Sequence, residues 1–211
     1  MRARAALGVT AATLAVAAGC VSLKRTPEAR FFVLRSLAQP AAAPAQATQG
    51  FVGVLTARIP GHLDRPQLVT WTGTGELRID EFLRWAEPLE AGFTRALTEN
   101  LQALLPDHLV ARAPWRGSVV PRCRVATELS VFGLQPNGEI RLEGRWALLP
   151  QNGELPLARG TSSFRRGPLS GAHPDAEVEA MSELIADLSR DIAKAALALP
   201  PVDAGAGDAR R

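Results

Sequence analysis

Between residues 122 and 164 the chain alternates apolar and polar side chains with a period of two, interrupted at two turn signals. In Arg122–Phe132, Cys123, Val125, Leu129 and Val131 share one face. Pro136-Asn137-Gly138 then turns the chain. In Glu139–Leu149, Ile140, Leu142, Trp146 and Leu148 share one face, and Glu139, Arg141, Glu143 and Arg145 share the other. Asn152-Gly153 marks a second turn, and Leu155–Phe164 reads as a third strand. Successive side chains of a strand point to opposite faces, so this pattern predicts a ribbon with one wet and one buried face. A slip of one residue would expose the whole apolar set, which fixes the register.

The buried face needs a cover, and the sequence supplies two helices. Leu89, Phe93, Leu97, Leu101 and Leu105 recur every four residues, joined by Ala96 and Leu104, after a Glu87-Pro88 start and before a Pro106 stop. A second stripe runs through Val178, Met181, Leu184, Ile185, Leu188 and Ile192, with Asp175 placed to cap it. Upstream, Phe31–Leu34, Phe51–Ile59, Gln67–Trp71 and Leu77–Ile79 read as short strands, with a turn at Gly73-Thr74-Gly75, and suggest a small meander. The predicted fold class is α+β: a mostly antiparallel sheet with two amphipathic helices packed on one face. It forms a single domain over residues 31–199, with an Ala/Pro-rich loop at 38–49 and a disordered tail at 200–211.

The first twenty residues address the compartment. Arg2 and Arg4 precede an uncharged run, Ala5 to Ala18, which is too short to span a bilayer comfortably. Residues 1–19 read as a secretory signal peptide, and Ala17-Ala18-Gly19-Cys20 resembles the bacterial lipobox. There the cysteine thiol receives a diacylglycerol, the chain is cut before it, and the new amine is acylated, typically with palmitate. Cys20 is therefore the expected lipidation site, and residues 20–30 a lipidated tether. Ten extended residues reach at most ~35 Å, so the body stays near the membrane. Removing 19 of the 211 residues leaves 192 and takes away Arg2 and Arg4, so the formal charge falls from +3 to +1. Only Lys24 and Lys194 are lysines, no block of like charge occurs, and no nucleic-acid partner is expected. Val21 follows the cysteine, where lipoproteins held in the inner membrane typically carry Asp, and this points to the outer membrane.

Chemistry is conspicuous by its scarcity. The chain carries no G-x-S-x-G elbow, H-E-x-x-H, paired C-x-x-C or P-loop, and Arg78 stands where G-x-G-x-x-G needs its third glycine. No cofactor or metal is expected. Asp80, Glu81, Glu87 and Glu90 could serve acid–base work, but carboxylates near a helix start more commonly cap it. His62, His108 and His173 read as surface residues, and Cys123 as a buried thiol in a strand.

Two segments are distinctive: Ile59-Pro60-Gly61-His62-Leu63-Asp64-Arg65-Pro66-Gln67-Leu68-Val69, and Phe82 to Phe93 with Leu83-Arg84-Trp85-Ala86-Glu87-Pro88 at its centre. With Phe31-Phe32-Val33-Leu34 soon after a lipobox, they resemble the PqiC-like family, auxiliary lipoproteins of ABC-type and MCE-domain lipid transport systems. The resemblance spans roughly Cys20 to Leu197. It departs at Phe31-Phe32, where the family often has Tyr-Tyr, at the Ala/Pro insertion and at the tail. It implies a non-enzymatic subunit at the periplasmic face of the outer membrane. That subunit would dock an MCE-domain protein and support membrane integrity, with a homo-oligomeric ring and an exposed strand edge as one means of docking.

Asp64, Arg65, Trp71 and Trp85 are the candidate partner-binding residues. Their plainer alternatives are a local Asp64–Arg65 turn with an ion pair, and a Leu83–Trp85–Leu89 staple at the helix entrance. Two other functions stay open at this point: a carrier holding lipid in an apolar cavity lined by the helix stripes, and a periplasmic hydrolase.

Overall fold

A computed structural model describes residues 27–38, 50–73, 75–115, 120–151, 155–169 and 173–200. The signal segment, Cys20, most of the Ala/Pro-rich stretch and the tail from residue 201 lie outside the described residues. In chain order the elements are β1 (Arg30–Phe32), β2 (Phe51–Val54), β3 (Gln67–Trp71), β4 (Leu77–Trp85), α1 (Leu89–Leu104), β5 (Leu109–Arg112), β6 (Cys123–Leu134), β7 (Ile140–Pro150), β8 (Ala158–Arg166) and α2 (Pro174–Leu197).

The strands form two sheets rather than one. A five-stranded sheet has the order β5-β2-β6-β7-β8, and a three-stranded sheet the order β1-β4-β3. The expected antiparallel ribbon is β6-β7-β8. The expected meander is replaced by a single hairpin, β3–β4. β1 returns to pair in parallel with the far end of β4, and β2 leaves to lie parallel between β5 and β6. α1 and α2 pack on each other and cover one face of the large sheet, α1 over β5 and α2 over β6, β7 and β8.

The core forms where these layers meet. Phe93, Ala96, Leu97 and Leu101 of α1 and Leu184 and Ile185 of α2 are fully buried against Val125, Ile140, Leu142 and Leu148. The Phe93 and Phe132 rings meet edge to face, 5.5 Å between centroids and 84° between planes. Phe132 reaches that position through a bulge: the β6–β7 register shifts between Leu129 and Val131. The extra residue moves Val131 to the outer face opposite Glu143 and brings Phe132 inward, so Val131 does not share the face of Cys123, Val125 and Leu129. At the far end of the ribbon, Trp146 is half-buried and lies over Gly160, where an added Cβ would stand 2.4 Å from the indole. Its Nε1–H donates to Ser162 Oγ at 3.2 Å, and the Ser162 hydroxyl donates to Asp191 of α2 at 2.7 Å. This relay ties β7 and β8 to the helix.

The helix ends differ slightly from the pattern. Pro88 itself precedes α1, and α2 opens on Pro174 with His173 before it. Asp175 therefore lies inside the first turn, where Arg30 Nη2 donates to both its oxygens at 2.9 and 2.7 Å and holds the carboxyl below its usual range. Arg95 makes the second long-range clasp. It donates to Glu87 Oε1 at 2.6 Å and to the Leu34 carbonyl at 2.7 Å, joining the chain after β1 to the entrance of α1. No described helix is long and apolar enough to cross a membrane.

Candidate docking surface

The segment Ile59–Pro66 is held at both ends. Arg58 bridges to Glu128 alongside β6. The amide of Leu63 then donates to the Pro60 carbonyl at 2.8 Å, that of Arg65 to Leu63 at 2.9 Å, and that of Trp85 to Pro66 at 2.7 Å. The turn expected around Asp64 and Arg65 is present, with no ion pair between them among the described residues. Leu63 is buried, and this drives the loop inward and leaves Asp64 exposed and Arg65 half-exposed at the surface. Trp71, at the end of β3, stacks edge-on with His62, 5.3 Å between centroids. The loop thus brings His62 against Trp71 at the Leu77 end of the small sheet, while Arg65 and Pro66 lie beside its Trp85 end.

Trp85 is not with them at the surface. It is 7 % exposed and belongs to the core with Leu63, Leu68 and Leu89. Its register partner on β1 is Phe32, also buried, whereas Phe31 and Val33 are exposed on the other side. A hydroxyl at position 32 would enter the core, while one at position 31 would meet water.

The carboxylates near the hairpin are committed to local structure. Asp80 Oδ1 accepts the amides of Phe82 and Leu83 at 2.9 and 3.2 Å. Glu81 accepts from Gln67, and Glu87 from Arg95. Among the described residues no group of three His, Cys, Asp or Glu side chains could hold a metal. His108, read as a surface residue from its loop-like context, is buried at 2 % exposure beneath the α1–β5 turn. Burial, then the nearby Arg122 guanidinium, push its pKa down. Cys123 is a buried, free thiol whose pKa burial raises.

One titratable group lies under the hairpin. Glu177, in the first turn of α2, faces a cavity of about 10 Å³ lined also by Leu68, Val69, Trp85, Phe132 and Met181. Its pKa is raised to about 7 by burial, against a smaller opposing pull from Arg78. An acid whose folded pKa lies above its unfolded value favours folding when protonated, so this contribution is full below the unfolded value of 4.5 and is lost as pH rises through about 7. Glu177→Gln should therefore leave the melting temperature unchanged near pH 4 and raise it near pH 8. Thermal unfolding across that range checks this, and an equal shift at both pH values contradicts it.

Two sheets, the larger covered by a helix pair, define an α+β body of a fold already seen in solved structures. A crystal structure of an uncharacterised protein superposes with a TM-score of 0.64 at 20% identity, covering 80% of this chain and 98% of that one. Protein XCC0632 from Xanthomonas campestris, of the DUF330 family, gives 0.64 at 16% identity, covering 78% and 93%. A PelC dodecamer from Paraburkholderia phytofirmans is more distant, at a TM-score of 0.44 and 12% identity over 77% of this chain and 96% of that one. No curated protein matches the chain. The chain belongs to the family of ABC-type transport auxiliary lipoprotein components, whose model matches residues 32–193. The PqiC-like resemblance of its sequence is thus borne out.

Proposed function

We propose that this auxiliary lipoprotein is anchored through Cys20 to the periplasmic face of the outer membrane and docks an MCE-domain protein of a lipid transport complex there. The observation that carries the reading is the family match over residues 32–193, nearly the whole folded body. The lipobox, the Val21 that follows it and a tether of about ten residues agree with it. On this reading His62, Asp64, Arg65 and Trp71 contact the partner, and Trp85 positions their loop from within the core.

Docking is favoured over lipid carriage by packing. The helix stripes that could have lined a lipid cavity are buried against the sheet, and the space under the hairpin is about 10 Å³, room for no more than one water. The test is co-purification in mild detergent from the native envelope. The wild-type protein should retain an MCE-domain protein, and the double variant Asp64→Ala, Trp71→Ala should retain at most a tenth as much. An anchored, folded wild-type protein that captures no such partner overturns the reading.

A further inference from the structure

The hydrogen-bond pattern of the large sheet determines which backbone groups its outermost strand leaves free. Thr127 gives its carbonyl, and Leu129 its amide, to Arg58 on the β2 side of β6. Residues of one strand alternate in the direction of their backbone groups, so Ala126 and Glu128 turn toward β7. Their register partners there are Ala147 and Arg145, which leaves Gly144 and Trp146 turned toward β8. Trp146 pairs with Gly160, and Gly144 with Ser162. The N–H and C=O groups of Arg159, Thr161, Ser163 and Arg165 therefore point off the sheet. β8 is terminal in the strand order, and nothing among the described residues pairs with that side. At nine residues it is the longest edge strand among the described residues.

The side chains of this edge carry one sign of charge. β8 has three arginines and no acid. Arg166 is taken up by Glu183 and Asp187 of α2. Arg159 and Arg165 lie on the opposite, outer face; Arg159 has no ion-pair partner among the described residues, and Arg165 is 77% exposed with Glu139 only at 3.8 Å. The outer face continues inward as an open groove of about 810 Å³. Among the described residues Arg58, Arg145 and Arg159 line it with Glu128 as the one acid, which pairs with Arg145 at 3.1 Å and leaves Arg58 and Arg159 without an ion-pair partner, over a floor that includes Ala126 and Ala147. Leu155 and Leu157, 84% and 49% exposed, flank the start of the strand.

Arginines on an edge discourage pairing with a second copy of the same strand. An antiparallel pair of β8 strands centred on Ser162 would set Arg159 opposite Arg165, and like charges directly opposed are destabilising. The same row is complementary to acids. We infer that the free edge of β8 takes an extended acidic segment of a partner protein as an added strand, with its alternate acidic side chains over Arg159 and Arg165 and toward the arginine-lined groove. Main-chain bonds would supply affinity and the arginines the choice of segment. This surface lies on a different sheet from the hairpin surface, and the inference does not depend on the transport partner's identity.

The test uses the full mature lipoprotein in mild detergent and a fluorescent nonapeptide, Glu-Val-Glu-Thr-Glu-Val-Glu-Thr-Glu, followed by anisotropy. Comparison peptides carry Lys for every Glu, or N-methyl groups on alternate amides so that no strand can form. The acidic peptide should bind, and both comparison peptides should bind at least tenfold more weakly. Arg159→Glu and Thr161→Pro should each weaken it at least tenfold, with unchanged circular dichroism. Thr161 presents its amide outward, so proline there removes no bond to β7; should that variant lose its fold, the N-methylated peptide reads the same edge. Absence of binding by the acidic peptide, equal binding of acidic and basic peptides, or indifference to N-methylation overturns the inference. So does Arg159-dependent capture of phosphatidylglycerol nanodiscs that displaces the peptide, because the arginines would then serve a lipid headgroup.

Discussion

Cys20→Ser should abolish incorporation of labelled fatty acid and yield no chain beginning at residue 20. A long acyl chain contributes about 0.8 kcal/mol per buried methylene, and two or more chains suffice for stable attachment. Among the described residues no surface feature approaches that: the exposed apolar side chains are scattered, such as Phe31 and Val33, and a chain cut before Cys20 carries a formal charge near +1. Metabolic labelling with palmitate and intact-mass analysis of the exported protein check the result. An unmodified Cys20 thiol on exported wild-type protein removes the anchoring step and, with it, the reason for a short tether. Val21→Asp gives the complementary outcome: anchoring preserved, with the protein recovered in the inner-membrane fraction.

Phe93→Ala should lower the unfolding free energy by about 3–5 kcal/mol, the range for deleting a buried aromatic ring. Phe93 has no exposed surface and sits at the point where α1 meets β6. The loss combines the removed apolar area with the edge-to-face contact to Phe132, itself worth roughly 0.5–1.5 kcal/mol. A domain stable by about 5–15 kcal/mol would lose about a fifth or more of that margin. Urea unfolding of the two proteins, with an unchanged slope against denaturant, is the measurement. A change below about 1 kcal/mol would mean that the surrounding side chains collapse into the space.

What could be read in the sequence follows the range of the interactions that carry it. The β6–β7–β8 ribbon and both helices rest on local periodicity, and their apolar faces are the buried ones apart from Val131. That exception comes from one extra residue in β6, which reverses the faces downstream without leaving a turn signal. β5 was invisible because four residues between Pro106 and Pro114 carry too little alternation to register. The parallel pairings of β1 with β4 and of β2 with β5 and β6 are made between segments far apart in the chain, and no short-range pattern encodes them. His108 looked exposed because of its loop, whereas the fold of β5 over α1 encloses it.

The docking residues divide along the same line. Asp64 and Arg65 beside Pro66 read as a local turn with an ion pair; the hydrogen bonds show the turn, and no ion pair joins the two among the described residues. Trp85 lay in a conspicuous segment but points inward, because it closes the β4 strand on the entrance to α1. The free amides of β8 carry no sequence signature. They become visible only when the ladder is followed from Arg58 across the sheet.

The parallel pairing of β1 with the last three residues of β4 also has a mechanical side. A pull on the chain ahead of β1, directed along that strand, would load the Arg30–Leu83, Phe31–Arg84 and Phe32–Trp85 rungs together in shear rather than unzip them one by one. The Arg30–Asp175 and Arg95–Leu34 bonds share that load with both helices. Tension between a membrane and whatever the body grips is thereby delivered to the core of the domain instead of peeling away its first strand.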